Sequence, residues 1–331
     1  PDHKSGSAHL RQKLMFTLSL CSICYHVFSE IVFIGLTLSN SPRVEDVVPL
    51  FHTFGYGALS IAKVFVLWYK KDVFKQLLHE LAGIWPMPPL EEEAQIIKNK
   101  SLDALRIAHR WYFFINVAGV WFYNLTPIAV YLFELWQNGN AKIGFVWVSW
   151  YPFDKHQPLA HVAVYLFEIF AGQTCVWIMV GTDLLFSAMA SHISLLLRLL
   201  KRRLESVGTV ENDHYQDTLA NIKLHQRLIT YCNDLENAFS LSNFVNIMLS
   251  HHEFYDIFHA NGDVASAAYN SGWYRTNPRC RRALLFLIQR AQKPIAFTAM
   301  NFTNITLVTY SAILTRSYSY FALLYTMYSE N

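Results

Sequence analysis

Between Lys293 and Glu330 the chain carries a single charged residue, Arg316. A run this apolar is long enough to cross a bilayer, which takes about 20 residues. It is not a plain lipid anchor, because Asn, Thr, Ser and Tyr recur through it. At helical spacing, Asn304, Val308, Ser311, Thr315, Ser319, Ala322 or Leu323, and Thr326 share one face. Tyr310, Ile313, Leu314, Phe321, Leu324 and Tyr328 lie mostly opposite. Such a small, polar stripe either packs against a neighbouring helix or lines a water path that Leu323 and Met327 could close. The stripe by itself favours packing. Pro294–Tyr328 is also too long for one crossing: 35 residues at about 1.5 Å each exceed a core of about 30 Å. Its lower part is expected at cytoplasmic depth or bent.

The rest of the chain reads the same way. Charged residues make up 15% of it, against about 25% in a soluble domain, so the class is an all-α polytopic membrane protein. A mean hydropathy of +0.19 assigns sizeable parts to regions outside the bilayer. Spans are expected at about 14–38, 48–68, 111–136 and 159–185, and the last pattern runs on through Leu200 into Arg202 and Arg203. A mixed-charge amphipathic stretch follows to about Glu236. Lys and Arg gather before span one, between spans two and three, and after span four, while the other links are poor in them. The positive-inside rule therefore puts the N-terminus in the cytoplasm. That is the reverse of a G-protein-coupled receptor.

The basic segment 275–293 should also lie inside, which requires an even number of spans after span four. The sequence offers one half-span, Phe239–Ser250, too short to cross. A segment is therefore expected to be absent at Ser250/His251, comprising the rest of span five, a loop and most of span six. A re-entrant segment is the alternative. Restoring the missing part gives seven spans, N-terminus in and C-terminus out. The first residue is Pro rather than Met, and the first apolar run lacks the features of a cleavable signal peptide, so the true N-terminus is expected upstream.

Enzyme chemistry finds little support, and no cofactor or nucleic-acid partner is implied; the net charge is only +3. The five cysteines form neither a disulfide framework nor a metal spacing. His251 and His252 beside Glu253 do not meet on one helix face, so no metal site is assigned. His26, Glu30, Lys63, Glu168, Asp183 and Arg316 lie in or near apolar helices, where structural pairing or a protein interior accounts for them. Asn124, Asn301 and Asn304 begin glycosylation sequons but fall inside predicted spans. Aromatic residues crowd the outer halves of spans two to four: Phe51, Phe54, Tyr56, Trp121, Phe122, Tyr123, Tyr131, Tyr165, Phe167 and Phe170. Core packing explains most of them. A subset around a gap would make a dry pocket for a small volatile, with Asn124 or Thr174 as a polar handle.

Three stretches carry a family resemblance. They are Ala267–Tyr274 (AAYNSGWY), Gln289–Pro294 (QRAQKP) and Ser317–Phe321 (SYSYF). With Gly181–Phe186 and the basic Leu-rich helix to Arg203, they resemble insect odorant receptors, and the ending resembles a ligand-tuning subunit. The resemblance implies an odorant-gated, non-selective cation channel of seven spans with inverted topology. It implies assembly with the olfactory co-receptor as a heterotetramer in the plasma membrane of a sensory neuron dendrite, in contact with membrane lipid. It implies the regions 1–190 (spans one to four, ligand binding), 191–240 (cytoplasmic helical extension), 241–260 (remnants of spans five and six), 261–293 (cytoplasmic anchor helix) and 294–331 (pore-lining final helix). Residues 195–235 and 263–293 would form the common anchor. Phe51, Phe54, Tyr56, Trp121, Asn124, Tyr165, Phe170 and Thr174 would contact the odorant. Ser319, Leu323, Thr326 and Met327 would line and gate the pore. The alternatives are a gustatory receptor channel of the same superfamily or a metabotropic seven-transmembrane receptor.

Overall fold

The computed structural model describes residues 3–39, 44–86, 90–139, 141–208, 215–245, 247–293, 295, 298–299, 303–304, 311–312, 315–320, 322–323 and 326. Within them, the side chains of 3–9, 44–52, 240–255, 298–299 and 303–304 are not described. The helices are α1 (His3–Ser39), α2 (Val44–Tyr69), α3 (Lys71–Ile84), α4 (Glu92–Asn138), α5 (Pro158–Glu205), α6 (Tyr215–Val245), α7 (Ile247–Asn270) and α8 (Pro278–Ala291). A 3₁₀ turn, Trp273–Arg275, joins α7 to α8. All four predicted spans are helical. Among the described residues Leu10–Ser39, α4 and α5 are long and apolar enough to cross a membrane. Helices of 47 and 48 residues at about 1.5 Å per residue far exceed a hydrocarbon core of about 30 Å.

The predicted half-span Phe239–Ser250 is not a separate element. It is divided between the end of α6 and the start of α7, and α7 runs unbroken through Ser250 and His251. The final segment also departs from a continuous helix. Thr298–Ala299 (β1) pairs antiparallel with Thr303–Asn304 (β2), so Asn304 does not belong to the helical stripe drawn from the sequence. β-branched Thr298 and Thr303 favour extended backbone. Helix is described from 315 to 320 and at 322–323.

The chain divides into two compact units, 1–69 with 109–182, and 70–108 with 183–331. Helices α4 and α5 contribute to both. In the first unit α1 and α2 cross closely at Gly57, where a Cβ would sit 2.7 Å from Val27 Cγ2. Small residues at such crossings let apolar helices approach. Ser60 of α2 points its hydroxyl at the Cys175 carbonyl of α5, 3.4 Å away. Ile23, Val27 and Cys175 form a buried cluster, with Phe54 and Tyr56 packed against it.

The second unit has a denser core, centred on Leu195, Leu200, Leu228, Tyr231, Leu235, Ile257, Val264 and Leu284. Asn261 of α7 ties it together. Its Oδ1 lies 2.9 Å from His225 Nε2 on α6, and its Nδ2 donates to the carbonyls of Ala291 (2.8 Å) and Lys293 (3.4 Å) at the end of α8. Asn277 caps α8 by accepting from Cys280 N at 2.8 Å, with Pro278 in the first turn. Gly208 (φ +82) and Gly272 approach backbone to backbone, and Gly272 N donates to Val207 O at 2.9 Å. That contact gives the glycine in Asn270-Ser271-Gly272-Trp273 a physical reason.

Candidate ligand site and family

The loop between α4 and α5 carries no regular structure over 141–157, yet its centre is buried. An irregular backbone can be buried only where its polar groups find partners. Glu168, on α5, supplies them. Its Oε2 accepts from the backbone N–H groups of Val146 (2.9 Å) and Trp147 (3.1 Å). Its Oε1 accepts from the Tyr151 hydroxyl at 3.2 Å. The Trp147 indole N–H donates to the Glu168 carbonyl at 3.1 Å. From α1, the Ser29 hydroxyl donates to the Trp150 carbonyl. The loop is thus stitched to two helices through one buried carboxylate and one serine.

This stitching sets the Trp147 indole deep in the unit. A Cβ on Gly172 would lie 2.6 Å from its Cζ2, so glycine is what lets the ring lie against α5. His26 of α1 meets the indole edge-on at 5.0 Å, and Tyr123 of α4 tilts over it at 5.1 Å. Val146, Trp147 and Tyr165 form one buried cluster with Ile128 and Ile169 beside it. The Tyr165 hydroxyl donates to the Asn124 carbonyl at 2.6 Å. Lys155 closes the rim, its Nζ 4.6 Å from the Phe145 ring centre and 5.8 Å from that of Tyr151. Burial pushes the Lys155 ammonium pKa down, and the Glu168 charge opposes that shift. Burial first, then Glu168, pushes the Tyr151 phenol up.

The residues expected to contact ligand are placed unevenly. Asn124 and Tyr165 come together, and Asn124 is 0% exposed with both amide atoms free of hydrogen bonds. Thr174 is buried, but its hydroxyl donates within its own helix to Phe170 O at 2.7 Å. Phe54 and Tyr56 are half-buried against the Ile23–Val27–Cys175 cluster. Trp121 (45% exposed) and Phe170 (37% exposed) sit at the surface of the subunit. Phe51 lies outside the described side chains. The sequence reading missed Trp147 as the inserted ring and assigned Glu168 to structural pairing or a protein interior without naming its partners. The available signal was an acidic residue inside an apolar helix near a Trp-rich link.

Of the residues assigned to the pore, Ser319, Leu323 and Thr326 are exposed, Leu323 by 56%. The Ser319 hydroxyl donates to Thr315 O at 2.8 Å, and that of Thr326 to Ala322 O at 3.0 Å and Leu323 O at 2.9 Å. The Thr315, Ser319 and Thr326 hydroxyls are therefore each satisfied within their own helical turn. Met327 lies outside the described residues.

Comparison with known proteins agrees with this architecture. The family model described as 7tm Odorant receptor matches residues 44–252 and 256–318. The chain belongs to that family. The match breaks within three residues of the junction at which the sequence reading expects a missing segment. Odorant receptor 85c of Drosophila melanogaster is 25% identical over 370 aligned residues, covering 99% of this chain and 94% of the relative. That alignment is longer than the chain's 331 residues, so it includes positions without a counterpart here. Putative odorant receptor 85d of the same fly is 24% identical over 346 residues, covering 91% and 83%. The insect olfactory receptor OR5 from Machilis hrabei shares the fold, with a TM-score of 0.76, 14% identity and coverage of 93% and 87%. Its structure in complex with eugenol gives 0.79, 15%, 99% and 92%. This odorant receptor is a multi-pass membrane protein, all-helical among the described residues apart from the short β1–β2 pair, and its family is one of receptors rather than enzymes.

Proposed function

We propose that the chain is an odorant-gated, non-selective cation-channel subunit that assembles with the olfactory co-receptor. The observation that carries the ligand part is the Trp147 insertion, where the indole, carried on an irregular loop rather than a helix, packs with Tyr123, Tyr165 and His26. Such dry, mostly apolar sites suit small volatiles. A ligand that binds the open arrangement more tightly shifts the population toward it. The exposed stripe Ser319–Leu323–Thr326 supports a pore-facing role. Moving Leu323 and Met327 off the axis would rewet a constriction that otherwise closes by dewetting. Cation passage and plasma-membrane residence belong to the same reading.

Assembly draws support from the second unit. Tyr269, Tyr274, Leu285 and Phe286 lie exposed on and around α7 and α8, beside a groove of about 560 Å³ lined by Phe258, Asn261 and Ile288. A face this aromatic on the water side of a membrane protein fits a protein partner. The test is whole-cell current from cells expressing the chain with and without co-receptor, challenged with an odorant panel. Odorant-evoked cation current that requires both subunits supports the reading. Its absence at demonstrated surface expression overturns it. A C-terminal epitope reachable only after permeabilisation would refute the inverted topology.

A further inference from the structure

Glu168 spends its carboxylate on the loop, but a second carboxyl in the same unit does not. Glu30 of α1 is 2% exposed, and neither of its oxygens makes a hydrogen bond of good geometry. Thr53 of α2 is its polar neighbour. His26 Nε2 stands 3.7 Å away, and His26 Nδ1 is itself unpartnered. The His26 ring meets the Trp147 indole at 5.0 Å, and Tyr123 lies 5.1 Å from the same indole, so Glu30 and Glu168 share one neighbourhood. Two carboxyls thus lie beside Trp147, Tyr123 and His26. An ionisable group buried in a membrane helix with no well-formed hydrogen bond is costly, and such groups mark functional sites.

We propose that Glu30 receives the charged head of a small aliphatic amine, bound between the Glu30 and Glu168 carboxyls and the rings of Trp147 and Tyr123. This deepens the odorant-receptor reading and rests on it. The chemistry selects the class. The cluster has acceptors in excess, and an ammonium brings up to three donors and a positive charge. Aromatic rings add cation–π attraction once water is excluded. A ketone or ester brings only acceptors, and a hydrocarbon brings neither. Room for the head requires Trp147 to shift, and the 141–157 loop that carries it is neither helix nor strand.

The probes are pentylamine, pentan-1-ol and pentan-2-one at fixed pH, applied to cells expressing the receptor with co-receptor. Wild type should respond to the amine at a concentration at least about tenfold below the other two, a difference of about 1.4 kcal/mol. Glu30→Gln should erase that advantage and shift the alcohol and ketone responses little, and Glu30→Asp should restore it. No amine preference in wild type, or an unchanged amine response in Glu30→Gln, overturns the proposal. If Glu30→Gln does not reach the surface, thermal unfolding of purified wild-type receptor decides. Stabilisation by pentylamine beyond that by pentan-1-ol supports the site, and equal stabilisation refutes it. Silence to all three probes and to a broad odorant mixture counts against the receptor-channel reading instead, and the thermal comparison still decides the amine site.

Discussion

Trp147 and Glu168 bond reciprocally: the Trp147 backbone N–H donates to the Glu168 carboxylate at 3.1 Å, and its indole N–H donates to the Glu168 backbone carbonyl, also at 3.1 Å. The same carboxylate holds Val146 and Tyr151, so one side chain fixes an entire loop. Glu168→Ala leaves two buried amides and a phenol without their acceptor, at about 1–3 kcal/mol for each unsatisfied group. Thermal unfolding should show a large loss of stability, and a protease should cut the 141–157 loop faster. Glu168→Gln keeps acceptor oxygen and should lose less.

Gly172 is the floor on which the Trp147 ring rests. Gly172→Ala puts a methyl 2.6 Å from Cζ2 of the indole, so the ring must lift or tilt. The expected result is normal surface expression with a changed odorant response profile, read by dose–response in cells with co-receptor. An unaltered profile would separate Trp147 from ligand recognition.

Gly208 and Gly272 should tolerate no side chain. A Cβ on Gly208 would meet the Gly272 carbonyl oxygen at 2.3 Å, and its φ of +82 disfavours any L side chain. The left-handed backbone alone costs about 1–2 kcal/mol. Gly208→Ala should therefore lower thermal stability more than Gly272→Ala, whose Cβ meets Gly208 O at 2.8 Å. Both should reduce receptor yield.

The His225–Asn261 contact predicts a pH dependence. Burial, with the Arg290 charge, lowers the His225 pKa, while the Asn261 hydrogen bond opposes the shift. The folded state therefore holds fewer protons than the unfolded state just below the ordinary imidazole pKa of about 6.5. Stability is full above that value and falls as pH drops through it toward the folded pKa. Unfolding temperatures measured between about pH 7.5 and 5.5 should decline, and His225→Gln should flatten the decline.

Leu323 is exposed on the final helix, one turn beyond Ser319. Leu323→Ala should raise the basal current of the co-receptor complex by weakening the dewetted constriction. Unchanged basal current and ion selectivity would remove Leu323 from the gate.

The sequence by itself determined that the chain is helical, that it belongs in a membrane, and where helices cover its first four apolar runs. Those properties are written in runs of apolar residues and in clusters such as Arg198, Lys201, Arg202 and Arg203, which need no knowledge of neighbours. It also determined the family, through short motifs like Asn270-Ser271-Gly272-Trp273. The tertiary structure decided which polar residues meet. Glu168 is one carboxylate among several in the sequence, and its partners lie about twenty positions upstream in an irregular loop that no periodicity describes. Trp147 reads as an interfacial aromatic until Gly172 gives it room to enter. Trp121 and Phe170, equally aromatic, point outward because a helix face is assigned by its neighbours and not by its composition. The final segment bends into β1 and β2 where a helical stripe is equally legible, since Thr-rich backbone takes the conformation that its packing offers.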